Sequence, residues 1–66
     1  MKALLSIIIP MYNSERYIVR CIESLRGLKI RKEVIVIDDG SSDSSYDIAR
    51  KFASNGEIKL FHQENK

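Results

Sequence analysis

A chain of 66 residues falls below the roughly 100–200 residues of an ordinary domain, which excludes a two-domain protein and leaves one small domain or a portion of a larger one. Hydrophobic residues make up 44% and charged residues 30%, a mixture too apolar for a disordered tail and too varied for a fibre. Eleven Lys and Arg against nine Asp and Glu give a net charge of +2, too small and too interspersed to single out nucleic acid or an anionic membrane as partner.

Cys21 is the single cysteine. It excludes an internal disulfide framework and a cysteine-based metal cluster, and it fits a reducing, cytoplasmic setting. At the amino terminus Lys2 precedes the apolar run 3–9, but Pro10-Met11-Tyr12-Asn13 follows without a small-residue cleavage site, so the run does not read as a signal peptide. It is also far short of the roughly 20 apolar residues that a spanning helix needs. No segment is expected to cross a membrane.

The first predicted element is a strand over residues 4–9, nearly unbroken in apolar character and ended by Pro10, the pattern of a strand covered on both faces in a parallel sheet. A helix follows, capped by Asn13 or Ser14, with Tyr17, Ile18, Cys21, Ile22, Leu25 and Leu28 at three- and four-residue spacing and Gly27 as its stop. The second strand is residues 33–37, broken by the polar turn Asp38-Asp39-Gly40-Ser41-Ser42-Asp43. A second helix is predicted from Asp43 or Ser44 to Ser54, with Tyr46, Ala49 and Ala53 on one side, Ile48 and Phe52 beside them, and Asn55-Gly56 closing it. Residues 57–62 mix polar and apolar positions, as a sheet-edge strand does.

The order βαβαβ predicts an α/β fold with a parallel sheet and right-handed crossovers, in which ligands bind beyond the carboxyl ends of the strands. The turns 10–15 and 38–43 both lie there, so they face one crevice if their strands are neighbours. Three strands in the order 3-2-1 leave the apolar first strand at an edge, which invites association. A fourth strand is therefore expected from the rest of a longer protein or from a second copy of the chain.

Asp38-Asp39-Gly40-Ser41 is the most informative tetrapeptide, because adjacent carboxylates repel and need a purpose or a cap. One reading is local: one carboxylate caps the next helix and the other holds the turn. The other is nucleotide recognition, since a carboxylate only accepts hydrogen bonds and so suits the imide N–H of uracil or paired ribose hydroxyls, while it rejects cytosine. The segment 10–15 lacks the glycine pattern that brings a pyrophosphate against a helix amino terminus. Tyr12 offers a face for stacking a base and Glu15 an acceptor for ribose hydroxyls. Tyr12 as a packed aromatic and Glu15 as a helix-dipole partner stand level with those readings.

Together these segments resemble family 2 glycosyltransferases, inverting sugar-transfer enzymes of the GT-A fold. Ser6-Ile7-Ile8-Ile9-Pro10-Met11-Tyr12-Asn13 is similar to the family's opening strand and P-x-Y-N turn, and Ile22-Glu23-Ser24-Leu25 to the end of its first helix. The run from Glu33 through Asp43 is similar to its second strand and D-D-G-S-x-D signature, and Gln63-Glu64-Asn65-Lys66 to the segment before its next turn. Arg26-Gly27-Leu28 departs from the glutamine often found there. The resemblance implies a Rossmann-like βαβαβ half of a three-layer fold, with residues 1–66 an amino-terminal, truncated nucleotide-binding segment. It implies that Pro10 and Tyr12 line a base pocket, that Asp39 contacts the base, and that Asp38 and Glu15 lie close to the nucleoside.

The donor so implied is a nucleotide sugar, UDP-linked, and the acceptor a saccharide or a lipid-linked molecule, with the parent protein cytoplasmic or peripheral to a membrane. The family's metal motif, for Mg²⁺ or Mn²⁺ on the diphosphate, and its catalytic carboxylate come later than Lys66, so the chain is expected to bind the nucleoside without transferring sugar. A transition state that builds charge on a leaving diphosphate needs such an ion. One rival is a non-catalytic module of the same fold that assembles through its first strand. Another is a response-regulator-like receiver, disfavoured because its paired acids follow the first strand. Cys21 reads as a core residue, His62 as an isolated edge-strand histidine, Arg50-Lys51 as a solvated face, and residues 29–33 as an exposed basic connector.

Overall fold

The computed structural model describes residues 4–64. Lys2 and Ala3 of the amino-terminal run, and Asn65 and Lys66 of the carboxyl-terminal motif, lie outside the described residues. The elements are β1 (Leu5–Met11), α1 (Ile18–Arg26), β2 (Lys32–Asp39), α2 (Ser45–Ser54) and β3 (Lys59–Gln63). The strands form one parallel sheet in the order β1-β2-β3, so the expected alternation and strand order hold. Among the described residues no helix is long and apolar enough to cross a membrane.

Two successive crossovers of the same hand, stepping in one direction, carry both helices to the same face of the sheet. The core reflects this: Ile18 and Ile22 of α1 and Ala49 of α2 close over Met11, Val34, Val36 and Ile58. Strand side chains alternate between faces, and the register puts Ile7 beside Val34, Ile9 beside Val36 and Met11 beside Asp38 on this covered side.

The opposite face has no helical layer among the described residues. From the amino ends of the strands upward it carries Ser6 and Glu33, then Ile8, Ile35 and Lys59, then Pro10, Ile37 and Phe61, then Asp39 and Gln63. Ile8 is 60% and Phe61 57% exposed. The expectation that β1 is covered on both faces is therefore corrected: its inward side is buried at Met11, partly buried at Ile7 and Ile9 and exposed at Leu5, its outward side is open, and its outer edge is unpaired among the described residues. At the polar end of the face the Ser6 hydroxyl donates to Glu33 at 2.6 Å and Lys59 pairs with the same carboxylate at 3.1 Å. The hydrogen bond from Ser6, then Lys59, hold the Glu33 carboxyl below its ordinary value.

Several boundaries differ from the sequence expectation. Pro10 does not end β1 but pairs in register with Ile37, which an edge strand tolerates because one side of it makes no ladder bonds. β2 runs on through both aspartates. Neither Asn13 nor Ser14 caps α1; the helix begins after Tyr17, and the Ser14 carbonyl accepts from the Tyr17 and Ile18 N–H groups, both at 2.8 Å. Glu15 thus lies in a turn before the helix, and Tyr17 and Leu28, which fit its spacing, lie outside it and are exposed. α2 ends as expected at Asn55-Gly56: Gly56 takes φ 79°, its N–H reaches the Ala53 carbonyl at 3.0 Å and the Glu57 N–H reaches Phe52 at 3.1 Å. This double closure is a Schellman motif, and its left-handed position favours glycine.

Candidate nucleoside site at the carboxyl edge of the sheet

The turns after β1 and β2 are tied together by side chains of each bonded to the backbone of the other. Asn13 stands at φ 46°, a left-handed conformation that asparagine tolerates better than most residues. Its side-chain oxygen accepts from the Ser42 N–H at 2.8 Å and the Asp43 N–H at 3.4 Å, and its own N–H donates to the Ser41 hydroxyl at 2.9 Å. Next to it the Ser14 N–H donates to the Ser45 hydroxyl at 2.6 Å, and that hydroxyl donates to Asp43 Oδ1. Ser45 is fully buried at the start of α2, so a hydroxyl that would be costly without partners is satisfied in both roles. The Glu15 N–H completes the connection by donating to Asp43 Oδ2 at 3.3 Å.

Asp43 is accordingly a link between turns. Burial raises its pKa, but hydrogen bonds from the Ser45 hydroxyl, the Ser45 N–H and the Glu15 N–H outweigh that and hold the carboxyl below its ordinary value. A folded-state pKa below the unfolded one adds stability that is present above about pH 4, the unfolded carboxylate value, and is lost as pH falls through the folded one. Acid titration of wild type and Asp43→Asn, followed by urea melts, should show stability falling with pH in both, Glu33 contributing to each. The gap between the two should close at the acid end. A gap that stays constant down to pH 2 would contradict the assignment.

The two adjacent aspartates face opposite ways, as consecutive strand residues do. Asp38 points under the helices and is fully buried. Its Oδ2 meets His62 Nδ1 at 2.8 Å and accepts from the Ser41 N–H at 3.4 Å. The Tyr46 ring lies edge-on to the His62 imidazole at 5.1 Å between centroids. Asp38 Oδ1 is buried without a hydrogen-bond partner among the described residues.

Asp39 turns to the open face, where Gln63 Nε2 donates to its Oδ1 at 3.2 Å. Gly40 at φ 73° then reverses the chain in a conformation that glycine adopts without strain. Pro10 shares that open face one register step below Asp39, and Tyr12 stands 51% exposed on the turn just past β1. Pro10 and Asp39 thus share the carboxyl end of the open face, an open shelf, with Tyr12 and Glu15 exposed on the turn that adjoins it. Two hollows, about 310 and 320 Å³, lie elsewhere, one at the amino edge around Arg26 and Lys32 and one between the helices around Val19 and Phe52.

Asn13, Ser45, His62 and Gln63 were missed or read as bland in the sequence. Ser45 carried a usable signal, since it precedes Ala49 by four residues and so shares its buried helix face. His62 and Gln63 carried none locally: they meet the aspartates only through the β2–β3 register, in which Asp38 pairs with His62 and Asp39 with Gln63.

A parallel βαβαβ sheet with its polar turns gathered at the carboxyl edge is a Rossmann-like half-fold. The chain belongs to glycosyl transferase family 2, whose model matches residues 6–66. It is 37% identical to the glycosyltransferase GlyG of Streptococcus pneumoniae serotype 4 over 68 aligned positions, covering all of this chain and 23% of GlyG. It is 42% identical to chondroitin synthase of Escherichia coli, covering 96% of this chain and 10% of that protein. In three dimensions it matches the crystal structure of S. aureus TarS with a TM-score of 0.81 at 33% identity, covering 97% of this chain and 12% of TarS. The chain therefore spans less than a quarter of the length of these relatives.

Proposed function

We propose that this chain is the nucleoside-binding portion of an inverting sugar-transfer enzyme that takes a UDP-linked sugar and delivers it to a saccharide or lipid-linked acceptor in cytoplasmic polysaccharide synthesis. The observation that carries the reading is the division of labour between the two aspartates: one is buried and bonded into the fold, the other stands on the open shelf with Pro10 and Tyr12. An exposed aromatic face stacks a base, and an acceptor-only carboxylate beside it selects a base with an imide N–H. In this reading Asp38 supports the floor of the nucleoside site, and Glu15 accepts from ribose hydroxyls at its rim. The name of the chondroitin synthase relative supports a polysaccharide product.

The whole transferase is proposed to hold Mg²⁺ or Mn²⁺ on the diphosphate. Asp38 and Asp39 do not fit that ion: their side chains leave the strand on opposite faces, one bonded to His62 and one to Gln63, so they cannot chelate a common centre. Among the described residues no group of three or more His, Cys, Asp or Glu is placed to bind a metal. The role proposed for these residues is binding and orientation of the nucleoside. Self-association of the chain through the unpaired edge of β1 belongs to the same proposal, supported by the exposure of Leu5 and Ile8 along it. A single monomeric species in sedimentation at the concentrations of the titration below would contradict that part.

The test of the nucleoside reading is calorimetric titration of UDP into wild type and Asp39→Asn. The change should weaken UDP binding by roughly tenfold or more, because Gln63 donates to one oxygen of the group, and an amide whose oxygen accepts from Gln63 turns its NH2 donor toward the imide N–H. The melting temperature should barely change, since the residue lies on an open strand end. Equal UDP affinity in the two proteins would remove Asp39 from the site.

A further inference from the structure

We propose that Gln63 determines base specificity by holding the Asp39 carboxylate in one orientation, with Oδ2 turned out to accept an imide N–H. The inference rests on the nucleoside reading above and extends it to a residue outside the P-x-Y-N and D-D-G-S turns. A carboxylate has two equivalent oxygens, and on an open strand end it rotates and hydrates freely. Here the Gln63 amide engages Oδ1 at 3.2 Å, while Oδ2 makes no hydrogen bond among the described residues. The partner is neutral, so it fixes direction without cancelling charge, as a lysine at that place would.

The placement is supported from the other face of the strand. One step earlier in the same register His62 binds Asp38 at 2.8 Å, which ties the end of β3 to β2 where Gln63 must stand. Consecutive residues of β3 thus each engage one of the paired aspartates, one inside and one on the shelf. The oriented oxygen favours uracil, whose ring N–H donates, over cytosine, whose corresponding nitrogen accepts and faces the carboxylate lone pair unfavourably.

The experiment measures UDP and CDP affinity side by side in the intact protein for wild type, Gln63→Leu and Gln63→Glu, because the two nucleotides differ only in the base. Wild type should prefer UDP by about tenfold or more. Gln63→Leu should cut that ratio severalfold, since the freed carboxylate loses its fixed direction. Gln63→Glu should cut it at least as far, because two like charges repel and turn the Asp39 carboxylate away from the direction that Gln63 holds. A purely structural role would weaken both nucleotides alike and leave the ratio unmoved. An unchanged ratio in both variants, with UDP still preferred by wild type, overturns the role of Gln63 alone. Undetectable binding of both nucleotides by wild type overturns the nucleoside reading and this one with it, and equal binding overturns base selection at Asp39 and so the role of Gln63.

Discussion

Asp38→Ala should cost roughly 2 kcal/mol of folding stability, while Asp39→Ala, one residue on, should change it by less than about 0.5 kcal/mol. The contrast follows from strand alternation. The Asp38 carboxylate is fully buried, and its removal deletes a 2.8 Å bond to His62 and the acceptor for the Ser41 N–H, and leaves a small void beneath the turn. The loss stays modest for a buried hydrogen-bonded group, because His62 is about half exposed and rehydrates readily once freed. It is also reduced by relief of the orphaned Oδ1, whose burial costs something in the wild type. Urea unfolding of the two variants decides the matter. Equal losses would mean that the aspartates are not divided between fold and ligand as their geometry divides them.

The second large effect is expected at Asn13. Asn13→Ala should lose about 2 kcal/mol, half from the acceptor taken away from the Ser42 N–H at 2.8 Å and half from forcing a Cβ-bearing residue without a compensating side-chain bond into φ 46°. Asn13→Gly should recover roughly half of the loss, since glycine takes that conformation without strain although it lacks the acceptor. UDP affinity should fall in both, because the turn that carries Tyr12 is no longer tied to the turn that carries Asp39. If the glycine variant is no more stable than the alanine variant, backbone strain at this position has no part in holding the turns.

Much of this fold was legible in advance because its signals are local. Two apolar runs and one mixed run of strand length, two amphipathic stretches and the Gly27 and Asn55-Gly56 stops are enough to order βαβαβ and place the polar turns at one edge. What was not legible depended on the sheet as a whole. Pro10 and the two aspartates look like strand terminators, yet the register carries β1 through Met11 and β2 through Asp39, because pairing continues wherever a neighbour presents an acceptor and an edge tolerates proline. Tyr17 and Leu28 fit the helical period but fall outside α1, since periodicity says nothing about where the chain leaves the helix.

The site divides along the same line. Tyr12 and Asp39 stand out as residue types at a strand end, but the inward direction of Asp38 follows only once β2 is known to extend far enough for the residue to share a face with Val34 and Val36. The contacts that hold the site span 24 residues for His62 and Gln63 and 29 for Asn13 with Ser42. No pattern within a turn encodes such distances; they appear when the parallel register is set.

The proposition on which the functional reading stands is that the shelf between the two turns receives a nucleoside. Amide-resolved nuclear magnetic resonance during a UDP titration tests it most directly. Saturable shifts should appear at Tyr12, Asp39 and Gln63 and leave the Arg26 and Lys32 end of the sheet unmoved. Shifts confined to that opposite end, or none at millimolar UDP in a folded protein, would contradict it.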